Sequence, residues 1–205
     1  SPGVPVDTPF VEQFADKAIP IWGEVELGSA FTKGSILAIT GTNGKTTTTF
    51  LIRSVLEQVT GKKVGLMGTN VNIVGDREFP AQRTTPESYE VFQLLAQMRE
   101  AGCAYAVMEV SSHSLELDRV YGIEFDAAVF TNLSRDHLDF HQTMERYQAA
   151  KAKLFRMARW GLVNLDDPAG KTMMEQGTCT FQTYSAKDDN ADLVAKNINL
   201  KPDRV

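Results

Sequence analysis

The sequence predicts an α/β fold built on a mostly parallel sheet flanked by helices. Short apolar runs with strand character alternate along the chain with helix-like segments, which is the order that a parallel sheet requires. A glycine-rich turn, residues 41–44, stands between the first of these runs and a helix-like segment. The chain has 205 residues, of which 42% are hydrophobic, so it is long enough for one good-sized domain.

The first elements are the clearest. Ser35–Thr40 is a continuous apolar run and predicts a buried strand, because both faces of a parallel strand are covered. A helix is expected from about Thr46 to Val59, directly after the glycine-rich turn. Lys63–Met67 then predicts a short second strand.

The segment Thr84–Glu87 has the composition of a helix start. Threonine is a good N-cap, Pro86 suits the first turn, and the Glu87 carboxylate favours the positive end of a helix. Gly102 is expected to end this helix. The apolar positions in between recur at helical spacing; they are Val91, Leu94, Leu95 and Met98.

The rest of the chain continues the alternation. Ala104–Val110 and Asp126–Thr131 predict two further buried strands, and Gly161–Leu165 predicts another. Between the last two, Thr143–Ala158 is expected to form one helix. The tail from Thr180 onward is polar and weakly patterned, so no element is expected there.

Composition and charge exclude several classes of protein. The formal net charge is -5 and no run of Lys and Arg exceeds two residues, which argues against a general nucleic-acid binder. The sequence offers neither an apolar stretch of membrane-spanning length nor a signal-peptide pattern. Cys103 and Cys179 are the only cysteines. We expect two buried or half-buried thiols rather than a disulfide or a metal pair, which points to the cytoplasm.

A candidate phosphate loop joins the first strand to the helix after it. Backbone N–H groups in such a loop surround phosphate oxygens, while a lysine reaches the β and γ phosphates and a hydroxyl binds Mg²⁺. The general pattern would place glycine where Ile39 stands. The alternative is a glycine-rich turn with an incidental lysine, and the loop by itself indicates only a nucleoside triphosphate. Its residues are Gly41, Thr42, Asn43, Gly44, Lys45, Thr46 and Thr47.

Polar residues follow two other predicted strands. Glu109 stands at the carboxyl end of its strand, with Ser111–His113 immediately after it. Ligands gather at the carboxyl ends of strands in open α/β sheets, so this carboxylate is a candidate for Mg²⁺. The alternative is a strand-end glutamate that faces solvent.

The segment Thr131–Asp139 repeats the arrangement after the next strand, with a burst of polar side chains. His137 is a candidate metal ligand. His141 is either a surface neighbour or its partner in a zinc pair, but the H-E-x-x-H pattern is absent and we do not favour zinc. Lys151 and Lys153 fall in the following helix, where a solvated face is the default expectation.

Taken together, the motifs resemble those of the Mur ligases, ATP-dependent enzymes that add amino acids to the cytoplasmic precursor of peptidoglycan. The family's shorter loop, G-T-x-G-K-[ST], accounts for Ile39. Residues 65–165 are most similar to the UDP-N-acetylmuramoyl-tripeptide synthetases, whereas residues 1–5 and 21–27 look more like the D-glutamate-adding members. The matching segments are Gly41–Thr47, Thr84–Pro86, Met108–His113, Thr131–Asp139 and Ala149–Lys151.

The resemblance implies a role for each matching position. Lys45, His137 and Lys151 would be catalytic, and residues 41–47 together with Asn164 would hold ATP. Mg²⁺ would be bound by Thr46 and Glu109, and a second Mg²⁺ by His137 and by Lys151 as a carbamate. The UDP-muramoyl peptide would contact Thr84, Thr85, Ser111 and Arg119. The family pattern often has Gln at position 117 and in some members Asn at position 83, where this chain has Leu117 and Arg83.

The implied reaction attaches lysine or diaminopimelate to UDP-MurNAc-L-Ala-D-Glu. ATP would phosphorylate the terminal carboxylate, and the incoming amine would attack the acyl phosphate. The substrates would be the UDP-MurNAc-dipeptide and an amino acid, with ATP and Mg²⁺ as cofactors and neither nucleic acid nor membrane as a partner.

Two domains are expected, and both look incomplete. Residues 1–33 would be the end of an N-terminal domain with its lead-in, and residues 34–205 an incomplete central ATP-binding domain. Three alternatives remain open. The chain could be a D-glutamate-adding ligase, another member of the superfamily such as a folylpolyglutamate synthetase, or a non-catalytic nucleotide-binding fragment or module.

Overall fold

Nine strands form one sheet in the computed structural model, which describes residues 34–196 and 198. The predicted lead-in, residues 1–33, lies outside the described residues. In chain order the strands are β1 Ser35–Thr40, β2 Val64–Met67, β3 Val71–Val74, β4 Arg77–Pro80, β5 Tyr105–Glu109, β6 Phe125–Phe130, β7 Ala158–Asn164, β8 Thr180–Ser185 and β9 Leu193–Val194.

The spatial order of the strands is β4-β3-β2-β5-β1-β6-β7-β8-β9. The pairs β2–β3 and β3–β4 are antiparallel, and the pairs from β2–β5 to β8–β9 are parallel. The predicted fold class, a mostly parallel sheet, is therefore confirmed. β1 lies between β5 and β6, both of which come much later in the chain.

Helices pack on both faces of the sheet. They are α1 Lys45–Thr60, α2 Ser88–Glu100, α3 Ser112–Glu116, α4 Leu138–His141, α5 Met144–Ala152 and α6 Ala169–Gln176, with a 3₁₀ turn at Lys153–Arg156. Within the part of the chain that the structure describes, every helix falls short of the length and apolar character needed to span a bilayer.

The pleat of β1 separates the two layers of the core. Ile36 and Ala38 point into the larger cluster, which also contains side chains of α2, α3 and α6. Ile39 points to the other face, where a smaller cluster is completed by Ile52 and Leu56 of α1. This alternation is what a strand buried on both faces produces.

Two predicted helix boundaries are wrong. The threonines at 84 and 85 do not cap α2. Glu87 is the N-cap and forms a capping box with Glu90, in which each side chain accepts from the backbone N–H of the other residue. Thr85 is instead used elsewhere, since its hydroxyl donates to the Glu109 carbonyl at 2.9 Å. The predicted helix Thr143–Ala158 ends as an α-helix at Ala152 and continues as a 3₁₀ turn.

Seven elements were not predicted: strands β3, β4, β8 and β9 and helices α3, α4 and α6. Each is short or lies in a segment without clear periodicity. Strands β8 and β9 contradict the expectation that the tail from Thr180 onward forms no element. Other boundaries agree closely: β1 has the predicted limits, and α1 exceeds them by one residue at each end. Cys103 and Cys179 are half-buried free thiols, as expected.

Candidate active site

The strand order brings three polar segments to one edge of the sheet. β5, β1 and β6 are adjacent and parallel, so their carboxyl ends share that edge. The loop Gly41–Gly44 leaves β1, Glu109 ends β5, and Thr131 follows β6. The loop precedes the other two segments by about 70 and about 90 positions in sequence, yet the three are neighbours in space.

The first half of the loop is fastened to the segment after β6. Thr42 N donates to Asn132 O at 2.8 Å, and Asn43 N donates to Asn132 Oδ1 at 2.9 Å. The Thr131 hydroxyl donates to Asn43 O at 2.7 Å. The N–H groups of Thr42 and Asn43 already have protein acceptors, so they are not available to an anion. This half of the loop instead anchors the loop backbone to the segment after β6.

Gly41 allows the close approach that this fastening needs. Its φ is 152°, and a Cβ at this position would lie 1.9 Å from Thr131 Oγ1. No side chain fits between the loop and β6. Glycine here is thus a steric requirement, whereas a Cβ at Gly44 would meet no atom within 4 Å.

The second half of the loop is the N-terminus of α1. Gly44 is the N-cap, in a left-handed conformation, and none of the side chains that the structure describes caps the helix. The first N–H groups of a helix have no intrahelical acceptors, so those at the start of α1 are free for an anion. The structure thus divides the predicted phosphate loop into an anchoring half and a presenting half.

Lys45 folds back over the loop. Its Nζ donates to Gly41 O and to Thr42 O, both at 3.0 Å. Burial lowers the pKa of Lys45, while the carboxylates of Glu109 and Asp136 oppose that shift. The amine is held beside the uncapped helix end, where a phosphate would bring negative charge.

Glu109 is fully buried, which rejects the alternative of a solvent-facing glutamate. Its Oε1 accepts from Thr69 N at 2.9 Å and its Oε2 from the Thr69 hydroxyl at 3.0 Å. Within residues 34–196 and 198 this carboxylate forms no ion pair within 4 Å. A buried carboxylate that has hydrogen-bond donors but no ion pair within 4 Å favours a nearby cation.

The four residues expected to contact a muramoyl peptide lie together beside Glu109. Ser111 N donates to Thr85 Oγ1 at 3.0 Å, and Arg119 Nη1 donates to Thr85 O at 3.4 Å. Thr84 lies 3.0 Å from the Thr69 hydroxyl. Arg119 is further held by Glu87, at 2.9 Å.

Lys151 corrects the expectation of a solvated helix face. It is 1% exposed, and its Nζ donates to Gly41 O at 2.8 Å. The Tyr147 ring centroid lies 4.6 Å from the same nitrogen. Burial lowers the pKa of Lys151 to about 7, with a further contribution from the positive charge of Lys45. Its neighbour Lys153 is the exposed one, paired with Glu116 at 2.8 Å.

The three histidines of the chain cluster at this site. The ring of His113 lies 4.9 Å from that of His137 and 5.4 Å from that of His141. His141 is buried and its Nε2 lies 2.8 Å from Ser112 Oγ, so it is no surface neighbour. His137 is half-exposed and has a positive φ of 52°.

Asn164 ends β7 next to the same edge. Its Nδ2 donates to Thr131 O at 2.8 Å, and its Oδ1 accepts from Asp166 N at 2.9 Å. Since Thr131 in turn binds Asn43 O, Asn164 is linked to the loop through one residue.

Three residues of the site were not singled out from the sequence. Tyr147 is fully buried, and its hydroxyl lies 3.1 Å from Thr42 Oγ1. It stands four positions before Lys151, and this helical spacing could have indicated that the two side chains lie on the same face. Asp136 opposes the pKa shifts of both lysines. Thr69 binds Glu109 and lies in a loop that the sequence does not mark.

The fold and the site define a P-loop-type α/β domain. The profile of the Mur ligase middle domain matches residues 39–205, and the chain belongs to this family. The UDP-N-acetylmuramoyl-L-alanyl-D-glutamate--2,6-diaminopimelate ligase of Clostridium perfringens is 50% identical over 179 residues. That match covers 85% of this chain and 37% of the relative.

Other comparisons agree. The ligase of the same name from Clostridium tetani is 48% identical over 184 residues, covering 90% of this chain and 38% of that protein. A solved structure of such a ligase superposes with a TM-score of 0.72 at 34% identity, over 84% of this chain and 37% of the other.

Escherichia coli FolC, solved with ADP, shares the fold alone, with a TM-score of 0.60 at 20% identity over 87% of this chain and 51% of FolC. The chain spans less than two fifths of the length of the two clostridial ligases.

Proposed function

We propose that this chain is the ATP-binding core of a ligase that adds diaminopimelate or lysine to UDP-MurNAc-L-Ala-D-Glu. The observation that carries the proposal is the presenting half of the phosphate loop, an uncapped helix N-terminus with Lys45 beside it. The names of the relatives at 50% and 48% identity favour diaminopimelate as the amino acid and the dipeptide as the acceptor. The complete ligation is proposed for the whole protein, and ATP binding for these residues.

The chain's own groups would position and neutralise the phosphates. The free N–H groups of α1 and the Lys45 amine supply donors to the β and γ phosphates. On binding, Lys45 would exchange its two carbonyl acceptors for phosphate oxygens. Asn132 and Thr131 would keep the loop backbone fixed while that exchange takes place.

The residues present fit Mg²⁺. Among the residues that the structure describes, Glu109 is a buried carboxylate without an ion pair, and Thr46 carries a hydroxyl in the first turn of α1. Hard oxygen ligands of this kind are those that Mg²⁺ prefers. When bound, the ion would neutralise phosphate charge during transfer to the peptide carboxylate, giving an acyl phosphate that the amine then attacks.

Lys151 fits the proposed role as a carbamate beside a second Mg²⁺. Carbamylation needs an uncharged amine, which attacks the carbon of CO₂ and releases a proton. Burial that lowers the pKa of Lys151 to about 7 favours that uncharged form. The product is an anionic oxygen ligand, which His137 would join at the same cation.

Thr84, Thr85, Ser111 and Arg119 would hold the muramoyl peptide. Arg119 is oriented by Glu87 and by the Thr85 carbonyl, so its guanidinium is presented in a fixed direction to a carboxylate. The proximity of this group to Glu109 would bring the peptide's terminal carboxylate next to the phosphates.

The test is titration of Mg²⁺–ATP into the 205-residue chain by calorimetry. Lys45→Ala is expected to weaken ATP binding by about ten- to a hundredfold, since a hydrogen bond to a charged group contributes about 1.5–3 kcal/mol. Lys153→Ala is the matched control, because that lysine is exposed and contacts Glu116. Equal affinities of Lys45→Ala and the wild type would refute the phosphate-loop assignment.

A further inference from the structure

Thr69 makes an unusual set of contacts for an exposed loop residue. It follows β2, and it meets both oxygens of the buried Glu109 carboxylate, one through its backbone N–H and one through its hydroxyl. Its hydroxyl also lies 3.0 Å from that of Thr84. One small side chain thus bridges the two residues assigned above to the cation and to the peptide substrate.

The directions of these hydrogen bonds follow from chemistry. A carboxylate can only accept, and a hydroxyl has one proton to donate. The proton of Thr69 is therefore directed to Glu109, and the Thr84 hydroxyl donates to the Thr69 oxygen. The result is a short chain of donors, from Thr84 through Thr69 to Glu109.

Gly68 also lies against the Glu109 carboxylate. A Cβ at this position would lie 2.6 Å from Glu109 Oε1, so any side chain would displace the carboxylate. The Thr69 N–H and hydroxyl hold the carboxylate in one orientation, and its remaining lone pairs are left for a ligand. In the described residues no cation of the protein lies within 4 Å of it.

We propose that Thr69 is a positioning residue: it orients the Glu109 carboxylate for the divalent cation and ties it to Thr84 at the peptide site. This inference rests on the proposed function, because it takes Glu109 as a cation ligand. Partners that orient metal ligands contribute about ten- to a hundredfold to metal affinity. Because Thr69 is exposed, replacing it removes little packing.

The test separates metal affinity from nucleotide affinity. Calorimetry gives the ATP affinity of the 205-residue chain first with EDTA and then over a series of Mg²⁺ concentrations. Thr69→Val is expected to raise the Mg²⁺ concentration for half-maximal ATP affinity by about tenfold or more, while the affinity in EDTA stays within twofold. Thr69→Ser, which keeps the hydroxyl, is expected to restore the wild-type Mg²⁺ requirement.

Two further variants sharpen the result. Gly68→Ala moves the carboxylate but keeps the Thr69 hydroxyl, and it should raise the Mg²⁺ requirement in the same selective way. Thr180→Val is the matched control, an exposed threonine of β8 far along the sheet from β5.

Three outcomes would overturn the inference. Thr69→Val could leave the Mg²⁺ requirement unchanged, or it could weaken ATP binding by the same factor with and without Mg²⁺, which is what a merely structural role predicts. If the wild-type chain fails to bind ATP at all, the proposed function falls and this inference with it. The first two results leave the phosphate-loop assignment standing.

Discussion

At the scale of single residues, the most informative is Lys151. A lysine is rarely buried, yet this one is 1% exposed and, among the described residues, donates to one oxygen, Gly41 O. Burial destabilises the folded chain whenever this amine is protonated. The destabilisation is expected to appear as a pH dependence of stability.

The sign follows from the two states. The pKa of Lys151 is lowered to about 7 in the folded chain from 10.5, so between these values the unfolded chain binds more protons. Stability should therefore rise with pH in that window, with a slope from this group that approaches about 1.4 kcal/mol per pH unit. Below pH 7 the amine is protonated in both states, and the full destabilisation from burying the charged group is present.

We expect the wild type to gain stability relative to Lys151→Met as pH rises from 7 to 10. Urea unfolding in bicarbonate-free buffer measures the difference, in which the contributions of other groups cancel. Lys153→Met should follow the wild type, because that side chain is 40% exposed. Parallel curves for wild type and Lys151→Met would show that the amine is not desolvated.

The burial of Lys151 could not be read from the sequence. Its acceptor lies 110 positions away, and the residues Gln148–Ala152 around it give no apolar face. Glu109 and the loop were predictable because strand ends and glycine patterns are local signals. Thr69 was not, since what distinguishes it is a contact across 40 positions.

At the scale of elements, α5 carries Tyr147 and Lys151 to the site, and its start is fixed by a single cap. The Thr143 side chain accepts from Arg146 N at 3.2 Å. The cap satisfies one of the N–H groups that a helix start leaves without an acceptor. Because Thr143 is exposed, the cap can be removed without a cavity.

Thr143→Ala is expected to lower the free energy of unfolding by about 1 kcal/mol, the usual contribution of a threonine N-cap. Urea denaturation measures it, with Thr143→Ser as the variant that keeps the cap. If Thr143→Ala lowers the free energy of unfolding no more than Thr143→Ser does, tertiary contacts alone hold the start of α5.

Elements differed in how well the sequence predicted them. β1, β5 and β6 are continuous apolar runs, which mark strands buried on both faces. β4 consists of Arg77–Pro80 and is exposed throughout, so no alternation marks it. The α5 boundary was missed because no glycine or proline follows Ala152 directly. The chain instead tightens into a 3₁₀ turn that buries both Leu154 and Phe155.

At the scale of the molecule, the proposed nucleotide site exists only in the assembled sheet. Ligand binding to the native state alone stabilises it by about 2.7 kcal/mol when the ligand is at 100 times its Kd. For a domain of this size that corresponds to a rise in Tm of roughly 5–11 °C. Mg²⁺–ATP should therefore raise the Tm of the wild type by this amount.

Thermal unfolding followed by circular dichroism, with and without Mg²⁺–ATP, tests this expectation. Lys45→Ala should show at most about half of that shift at the same ligand concentration, because a tenfold loss of affinity leaves about 1.4 kcal/mol of stabilisation and a hundredfold loss about 0.4 kcal/mol. A shift of equal size in both proteins would place the nucleotide somewhere other than the loop.

The central position of β1 also sets an order of events during synthesis. β1 and its loop leave the ribosome well before the partners that fasten the loop, the latest of which is Lys151, whose contact with Gly41 spans 110 positions. At about 5–20 residues per second that interval lasts roughly 5–20 s. Throughout that interval the loop lacks the hydrogen bonds that fix its backbone, so we expect nucleotide to bind the finished domain and not the growing chain.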